Sequence, residues 1–142
     1  MIKILFICHG NICRSPMAEF VMKDLVNKSG CAHEFEIASV AVSREELGNP
    51  IYPPAQRELN RHGIPFDRRR ARQITEGDLA YYDHIYYMDA SNARYLRRMF
   101  PGEEGFLPFL PHDVADPWYS GDFTQTWEDV CAGCQKILEE SL

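Results

Sequence analysis

The sequence lacks any long apolar run, and this absence excludes a membrane-spanning helix. No stretch of the 142 residues approaches the roughly 20 apolar residues that cross a bilayer. The N-terminal apolar segment, residues 2–8, is too short for the apolar region of a secretory signal and ends in a Gly/Asn turn. We therefore expect a cytoplasmic protein in which the cysteines stay reduced.

An excess of positive charge is also missing. The chain carries 15 Lys and Arg against 21 Asp and Glu, a net charge of −6, so nucleic acid and membrane surfaces are not expected as partners. The local exception is DRRRARQ, residues 67–73. A short charge run of this kind is typical of a solvated loop, and a docking surface for an acidic substrate is the alternative.

The cysteines are few and odd in number. Five of them exclude a complete disulfide framework. Cys131 and Cys134 share one predicted helical face with Trp127 and Leu138, which favours core packing, and no second Cys or His pair is present to complete a zinc site. Repeats and low-complexity segments are absent, so the length predicts a single domain over residues 1–142.

Strand and helix patterns alternate along the chain. Apolar runs predict strands at residues 2–8, 36–40, 84–88 and 106–110. Helical signals predict a helix from Ser15, as N-cap, with Pro16 first in the helix, and further helices over residues 53–62, after Thr75, over 89–99 and over 122–142. This order predicts a three-layer, doubly wound α/β fold with a parallel sheet, whose ligands bind at the carboxyl ends of the strands.

The first strand ends in CHGNICRS, residues 8–15. A loop between a strand and a helix N-terminus can point its backbone N–H groups inward around an anion. Gly10 and Asn11 are the residue types that adopt the unusual φ such a loop needs. Residues 9–13 would then surround a tetrahedral oxyanion, and Arg14 would bind two of its oxygens.

The same loop predicts a nucleophile. The helix dipole, the inward N–H groups and the guanidinium all favour a thiolate at Cys8, and Ser15 is expected to donate a hydrogen bond to it. A phosphorylated tyrosine leaves more readily when its oxygen is protonated, and Asp116 in the ADPW segment is the expected general acid. Trp118 and Tyr119 follow it and would flank an aromatic ring.

These motifs resemble those of the low-molecular-weight protein tyrosine phosphatases over nearly the whole chain. The similarity rests on CHGNICRSPMAE, the Ser39 segment, ARQIT with the downstream Asp78, YDHIYYMD with Asn92, and DVADPWY. It implies a four-stranded parallel sheet with helices on both faces, no metal or other cofactor, and hydrolysis of protein phosphotyrosine and small aryl phosphates through a cysteinyl-phosphate.

The resemblance also assigns roles within the motifs. Cys8 would be the nucleophile, Arg14 the phosphate-binding residue and Asp116 the general acid. The remaining expected binding residues are Trp118 and Tyr119 beside the substrate ring, Ser15 assisting the thiolate, Asn11 shaping the loop, Ile12 lining the cleft wall, and His9, Gly10 and Cys13 within the loop. His9 would present its backbone to phosphate and its side chain to the rim.

Three positions depart from the family pattern. Glu45 replaces an aromatic residue that usually grips the substrate ring, and Tyr52, where the family has Asp, is a candidate for the missing aromatic surface. Arg69 replaces a His that commonly steadies the loop asparagine, so Asn11 is expected to be held differently, with Ser39 as a candidate partner.

Cys13 and the overall function each retain alternatives. Cys13 is either a small side chain beneath the loop or a thiol that forms a protective disulfide with oxidised Cys8, the role that the resemblance favours. A phosphoarginine phosphatase is a second function, although Ile12 stands where such relatives tend to have threonine. An arsenate reductase would need cysteines within residues 60–100, which have none, and a phosphate-binding module without activity would not need Asp116.

Overall fold

The computed structural model describes residues 1–142 and contains one parallel sheet of four strands. The strands are β1 (Ile2–Cys8), β2 (Phe35–Ala41), β3 (His84–Tyr87) and β4 (Phe106–Pro108), in the spatial order β2-β1-β3-β4. All four predicted strands are confirmed: β1 has the predicted ends, and the ends of the other three differ by at most two residues.

Six helices follow or separate the strands. They are α1 (Arg14–Lys28), α2 (Pro53–Arg61), α3 (Glu76–Tyr81), α4 (Ala90–Met99), α5 (Pro117–Ser120) and α6 (Phe123–Ser141), with a 3₁₀ turn at Ala32–Glu34. The short α5 was not predicted, because four residues are too few to show helical periodicity. None of these helices is both long enough and apolar enough to cross a membrane.

The central strand β1 is buried on both faces. Ile4 and Phe6 pack into the core beneath α1, α2 and α6, whereas Leu5 and Ile7 pack into a second core beneath α3 and α4. All four side chains have no exposed surface. This double burial explains the uninterrupted apolar run of the strand and confirms the three-layer α/β architecture.

Helix α1 begins two residues earlier than predicted. Cys13 is its N-cap, without a side-chain hydrogen bond, so Ser15 and Pro16 are the second and third helical residues. The prediction that Ser15 caps the helix is wrong, because its hydroxyl faces Cys8 and Asn11 instead of the helix N–H groups. The first-turn N–H groups of α1 therefore have no capping side chain, an arrangement that favours an anion at this helix end.

Three acidic or nucleophilic residues meet at the carboxyl edge of the sheet. Cys8 ends β1, Asp89 caps α4 just after β3, and Asp116 caps α5 after β4. Parallel strands bring their carboxyl ends to one side, where the ligands of doubly wound folds bind.

Candidate active site

The loop between β1 and α1 turns at Asn11. Its φ is 61°, and it is the one residue other than glycine with a positive φ. Gly10 was expected to share this unusual backbone conformation, but its φ is not positive. A Cβ on Gly10 would instead approach Cγ of Glu46 to 3.1 Å, so the glycine keeps space at the rim of the loop.

The Asn11 side chain is buried and uses both ends of its amide. Its Nδ2 donates to Oγ of Ser15 at 2.8 Å and to Oγ of Ser39 at 2.9 Å. Its Oδ1 accepts a hydrogen bond from Nη2 of Arg69. Ser39 is therefore a partner of Asn11, as the sequence suggested, and the Arg69 departure places a cation in this network.

The Cys8 thiol lies at the inner end of the network. Its Sγ is 3.1 Å from Oγ of Ser15 and accepts the backbone N–H of Asn11 at 3.3 Å. Since Ser15 accepts from the Asn11 amide, its own proton is free to point at the sulfur; the carbonyl of Val40, 3.4 Å away, is a more distant acceptor. Two donors thus stabilise negative charge on Cys8.

The Arg14 guanidinium is buried and held from one side. Its Nη1 donates to Oδ2 of Asp89 at 2.6 Å and to the carbonyl of Val114 at 2.8 Å. Burial opposes its charge, but the negative charges of Cys8, Asp116 and Asp89 raise the pKa of Arg14 above its ordinary value. With Nη1 occupied, the Nε and Nη2 donors remain to bind two oxygens of an oxyanion.

Asp116 stands at the opening of the loop. Its Oδ1 accepts the backbone N–H of Trp118 at 3.1 Å, and its Oδ2 is 3.4 Å from Nη2 of Arg14. About a quarter of its side chain, 24%, is exposed, so the carboxyl group faces both the loop and the solvent.

An open pocket covers the loop and gathers the predicted residues. Trp118 and Tyr119 form its outer wall and are 51% and 84% exposed. The residues that line the pocket are Cys8, His9, Gly10, Ile12, Cys13, Arg14, Glu45, Glu46, Asp116, Trp118 and Tyr119. Asn11 and Ser15 lie behind this surface, so they act through their neighbours.

Tyr52 does not line the pocket, and so it does not supply the aromatic surface itself. Its ring lies 4.7 Å from the Trp118 ring and 6.2 Å from the Phe123 ring, between centroids. Its backbone N–H donates to the carbonyl of Ile12 at 2.9 Å. Tyr52 therefore supports the Trp118 wall and ties the start of α2 to the loop.

Glu45 and His9 form a polar pair on the opposite rim. Nε2 of His9 is 2.6 Å from Oε2 of Glu45, and the His9 and Tyr95 rings pack edge to face with centroids 5.4 Å apart. The backbone carbonyl of His9 accepts from both the N–H and the hydroxyl of Ser43. This rim is acidic where an aromatic residue was expected.

The other cysteines are all free thiols. Cys13 shares the pocket wall with Cys8, and burial, reinforced by the charges of Cys8 and Asp116, raises its pKa well above the usual range. Cys13 is thus a neutral thiol beside Cys8, a placement compatible with either of its two expected roles. Cys134 is fully buried in the core, and burial raises its pKa also.

The basic segment at residues 67–73 is more than a solvated loop. Arg69 reaches the loop network, and Arg72 makes a two-pronged ion pair with Asp78 at 2.9 Å for each bond. The interpretation as a solvated run is wrong for Arg69, which is half-buried and bonds to the buried Asn11, whereas Arg72 stays exposed, as the interpretation expects, and its ion pair lies at the surface.

The sequence did not assign roles to two groups that hold Arg14. Asp89 is recognisable in principle, since an acidic residue directly after a buried strand lies at the ligand-binding edge of the sheet. The Val114 carbonyl has no signature, because backbone acceptors carry no sequence signal.

The fold and site together define a doubly wound α/β protein with a cysteine-containing loop at the carboxyl edge of its parallel sheet. The family model described as low molecular weight phosphotyrosine protein phosphatase matches residues 3–142. The Bacillus subtilis low molecular weight protein-tyrosine-phosphatase YfkJ is 39% identical over 147 residues, covering 97% of this chain and 94% of the relative. The chain belongs to the low molecular weight phosphotyrosine protein phosphatase family.

Two solved structures show how closely the fold is shared at different sequence identities. The Streptococcus pyogenes low molecular weight protein tyrosine phosphatase SP-PTP superposes with a TM-score of 0.93 at 39% identity, covering 100% of this chain and 94% of the other. The Drosophila arginine phosphatase DARP superposes with a TM-score of 0.88 at 25% identity, covering 99% and 98%.

Proposed function

We propose that this protein hydrolyses phosphotyrosine in proteins, and small aryl phosphates, by two displacements through a phosphorylated Cys8. One observation carries the proposal: the Cys8 thiol, the free edge of the Arg14 guanidinium and the Asp116 carboxyl group face the same pocket. Family membership supports the same reaction. A cytoplasmic location belongs to the proposal, because a catalytic thiol needs a reducing compartment.

In the first displacement the thiolate attacks phosphorus. An S–P bond forms as the bond between phosphorus and the tyrosine oxygen breaks, and Asp116 gives its proton to the departing oxygen. Arg14 binds two of the non-bridging oxygens through Nε and Nη2. The backbone N–H groups of residues 9–13 and the first turn of α1 bind the rest of the charge.

In the second displacement water attacks the cysteinyl-phosphate. The Asp116 carboxylate takes a proton from the water, the S–P bond breaks, and inorganic phosphate leaves. Ser15 donates to the sulfur as it regains its charge, since its Oγ is 3.1 Å from Sγ. Trp118 and Tyr119 are proposed to hold the aromatic ring of the substrate during both steps.

The test compares wild type, Cys8→Ser and Cys31→Ala on a phosphotyrosine peptide. We expect Cys8→Ser to lose about 10⁴-fold or more in kcat while still binding inorganic phosphate, because a hydroxyl is a far weaker nucleophile. Cys31 is buried away from the loop and serves as the matched control, with near-wild-type turnover. Appreciable turnover by Cys8→Ser would refute the mechanism.

Phosphoarginine is the second candidate substrate, because the Drosophila arginine phosphatase shares the fold. The pocket wall here is apolar at Ile12 and aromatic at Trp118, which favours a phenyl ring over a guanidinium. The ratio of kcat/KM for matched phosphotyrosine and phosphoarginine peptides decides between them, and we expect it to favour phosphotyrosine.

A further inference from the structure

Arg69 lies behind the catalytic loop instead of in solvent. Its neighbours Arg68 and Arg70 are exposed, whereas Arg69 is half-buried. Its Nη2 donates to Oδ1 of Asn11, and its Nη1 is buried without a hydrogen-bond partner. Burying a charged donor without a hydrogen-bond partner is unfavourable. The inward position of the guanidinium therefore indicates that Arg69 contributes to the loop.

Negative groups on several elements face this cation. They are Glu19 on α1, Cys8 at the end of β1, and Asp67 in the same segment. Burial lowers the pKa of Arg69, and these three negative charges oppose that effect. Glu19 also binds Lys23 and the Ser39 hydroxyl, each at 2.6 Å. An arginine keeps its proton throughout the pH range in which the protein is folded.

The cation contributes to the direction of a chain of hydrogen bonds. A guanidinium only donates, so it must face the oxygen of the Asn11 amide, which also accepts the backbone N–H of Arg72 at 3.4 Å, and not the nitrogen. The amide nitrogen then faces the hydroxyls of Ser15 and Ser39. Ser15 accepts from that nitrogen and directs its own proton to the sulfur of Cys8. The orientation that Arg69 helps to set is thus transmitted through two side chains to the nucleophile.

We propose that Arg69 is a positioning residue that locks the Asn11 amide with a charge that does not titrate, so that the support of the Cys8 thiolate is constant with pH. The inference rests on the proposed function and extends it to this loop network. A titratable cation at position 69 would make the same support dependent on pH.

The test measures kcat/KM for p-nitrophenyl phosphate from about pH 5 to pH 8.5, a range that spans the titration of histidine. Each variant is expressed as a ratio to wild type at the same pH, which removes any pH dependence that the two proteins share. For Arg69→His we expect a ratio near one at low pH, falling by about three- to tenfold as the imidazole loses its charge, because charged hydrogen bonds are stronger than neutral ones.

Two further variants separate charge from shape. Arg69→Lys keeps the charge and is expected to stay close to wild type at every pH, whereas Arg69→Gln is expected to lose about three- to tenfold at every pH. Arg68→His is the matched control, because Arg68 is exposed and makes no hydrogen bond to the loop, and its ratio should not change with pH.

A purely structural role predicts a different pattern. An Arg69→His ratio that is flat with pH, or an Arg69→Gln variant as active as wild type, would overturn the proposal. If Arg69→His does not fold, the comparison of Arg69→Lys with Arg69→Gln at one pH decides. The affinity for inorganic phosphate, measured by calorimetry across the same variants and pH values, tests Arg69 without requiring turnover. An inactive wild type would therefore refute the proposed function and leave the Arg69 proposal testable by phosphate binding.

Discussion

The floor and the mouth of the pocket are built from side chains in opposite states of burial. The floor includes Arg14, which is 1% exposed, and we count with it Asn11 and Ser15, which lie directly behind the pocket surface and have no exposed surface; all three make hydrogen bonds within the protein. At the mouth, Trp118 and Tyr119 are 51% and 84% exposed. The floor is held by the protein itself, whereas the mouth has much of its surface free for a substrate.

This difference in burial predicts two kinds of effect of substitutions on the kinetics. Removing a buried polar partner leaves another group unsatisfied and disturbs the loop in every state of the reaction. Changing an exposed side chain alters only the contacts that the substrate makes. We therefore expect floor substitutions to lower kcat and mouth substitutions to raise KM, and the following variants test that division.

Asp116 lies between floor and mouth and should give the largest effect. For a phosphate ester with a poor leaving group, Asp116→Asn is expected to lower kcat by about 10²–10⁴, because the general acid is lost. The asparagine oxygen can still accept the Trp118 N–H, so the wall keeps its position. Esters of graded leaving-group pKa check this through kcat/KM, which reports the first displacement alone; an equal loss of kcat/KM for good and poor leaving groups would contradict it.

Arg14→Lys tests the floor directly. Lysine keeps the charge but lacks the planar guanidinium. It therefore loses the contacts to Asp89 and Val114 and the ability to bind two oxygens of the phosphate at once. We expect kcat to fall by about 10²–10³, the loss typical of one preorganised donor in a transition state. Measurement of kcat and KM on p-nitrophenyl phosphate checks this, and a change confined to KM would break the comparison.

Tyr52→Leu tests the mouth through its support. The substitution removes the ring that packs on Trp118 at 4.7 Å but leaves the backbone bond to Ile12. KM for aryl phosphates should rise by about three- to tenfold with kcat little changed, since stacked aromatic contacts contribute about 0.5–1.5 kcal/mol. Tyr52→Phe keeps the ring and is the matched control. A fall in kcat for Tyr52→Leu would show that Tyr52 supports the floor and would contradict its assignment to the mouth.

Glu45→Gln should give the smallest effect. It removes a rim charge but keeps a hydrogen-bonding group beside His9, 2.6 Å away. Exposed ion pairs contribute little, so kcat/KM for p-nitrophenyl phosphate should change by less than about threefold. The effect of the rim charge is measured by comparing kcat/KM for phosphopeptides with basic and with acidic flanking residues. A large loss of activity on p-nitrophenyl phosphate would show that Glu45 acts as part of the floor, which would contradict this prediction.

Much of the fold and the loop could be predicted from sequence because the signals are local. The β1 run, the helix capped by Thr75, and Cys8, Arg14, Asp116 and the two aromatic residues of the pocket all lie where expected. The start of α1 was misplaced because the Ser15 hydroxyl faces a sulfur and an amide, a tertiary choice that capping statistics do not contain.

The supporting contacts could not be predicted, because they join residues far apart in the chain. Arg69 meets Asn11 across 58 positions, and Arg14 meets the Val114 carbonyl across 100. A charge run in the sequence gives no sign of which arginine turns inward. Tyr52 was placed in the pocket by analogy with an aromatic residue, whereas the structure puts it behind Trp118.

The central claim is a covalent cysteinyl-phosphate, and trapping it is the most direct test. Asp116→Asn is mixed with p-nitrophenyl phosphate, whose good leaving group needs little acid assistance, and quenched during early turnover. Intact-mass and peptide mass spectrometry are expected to show one added phosphoryl group, located on Cys8, because hydrolysis of the intermediate lacks its base. Phosphate released with no phosphorylated cysteine at any quench time, or a phosphoryl group on another residue, would contradict the account.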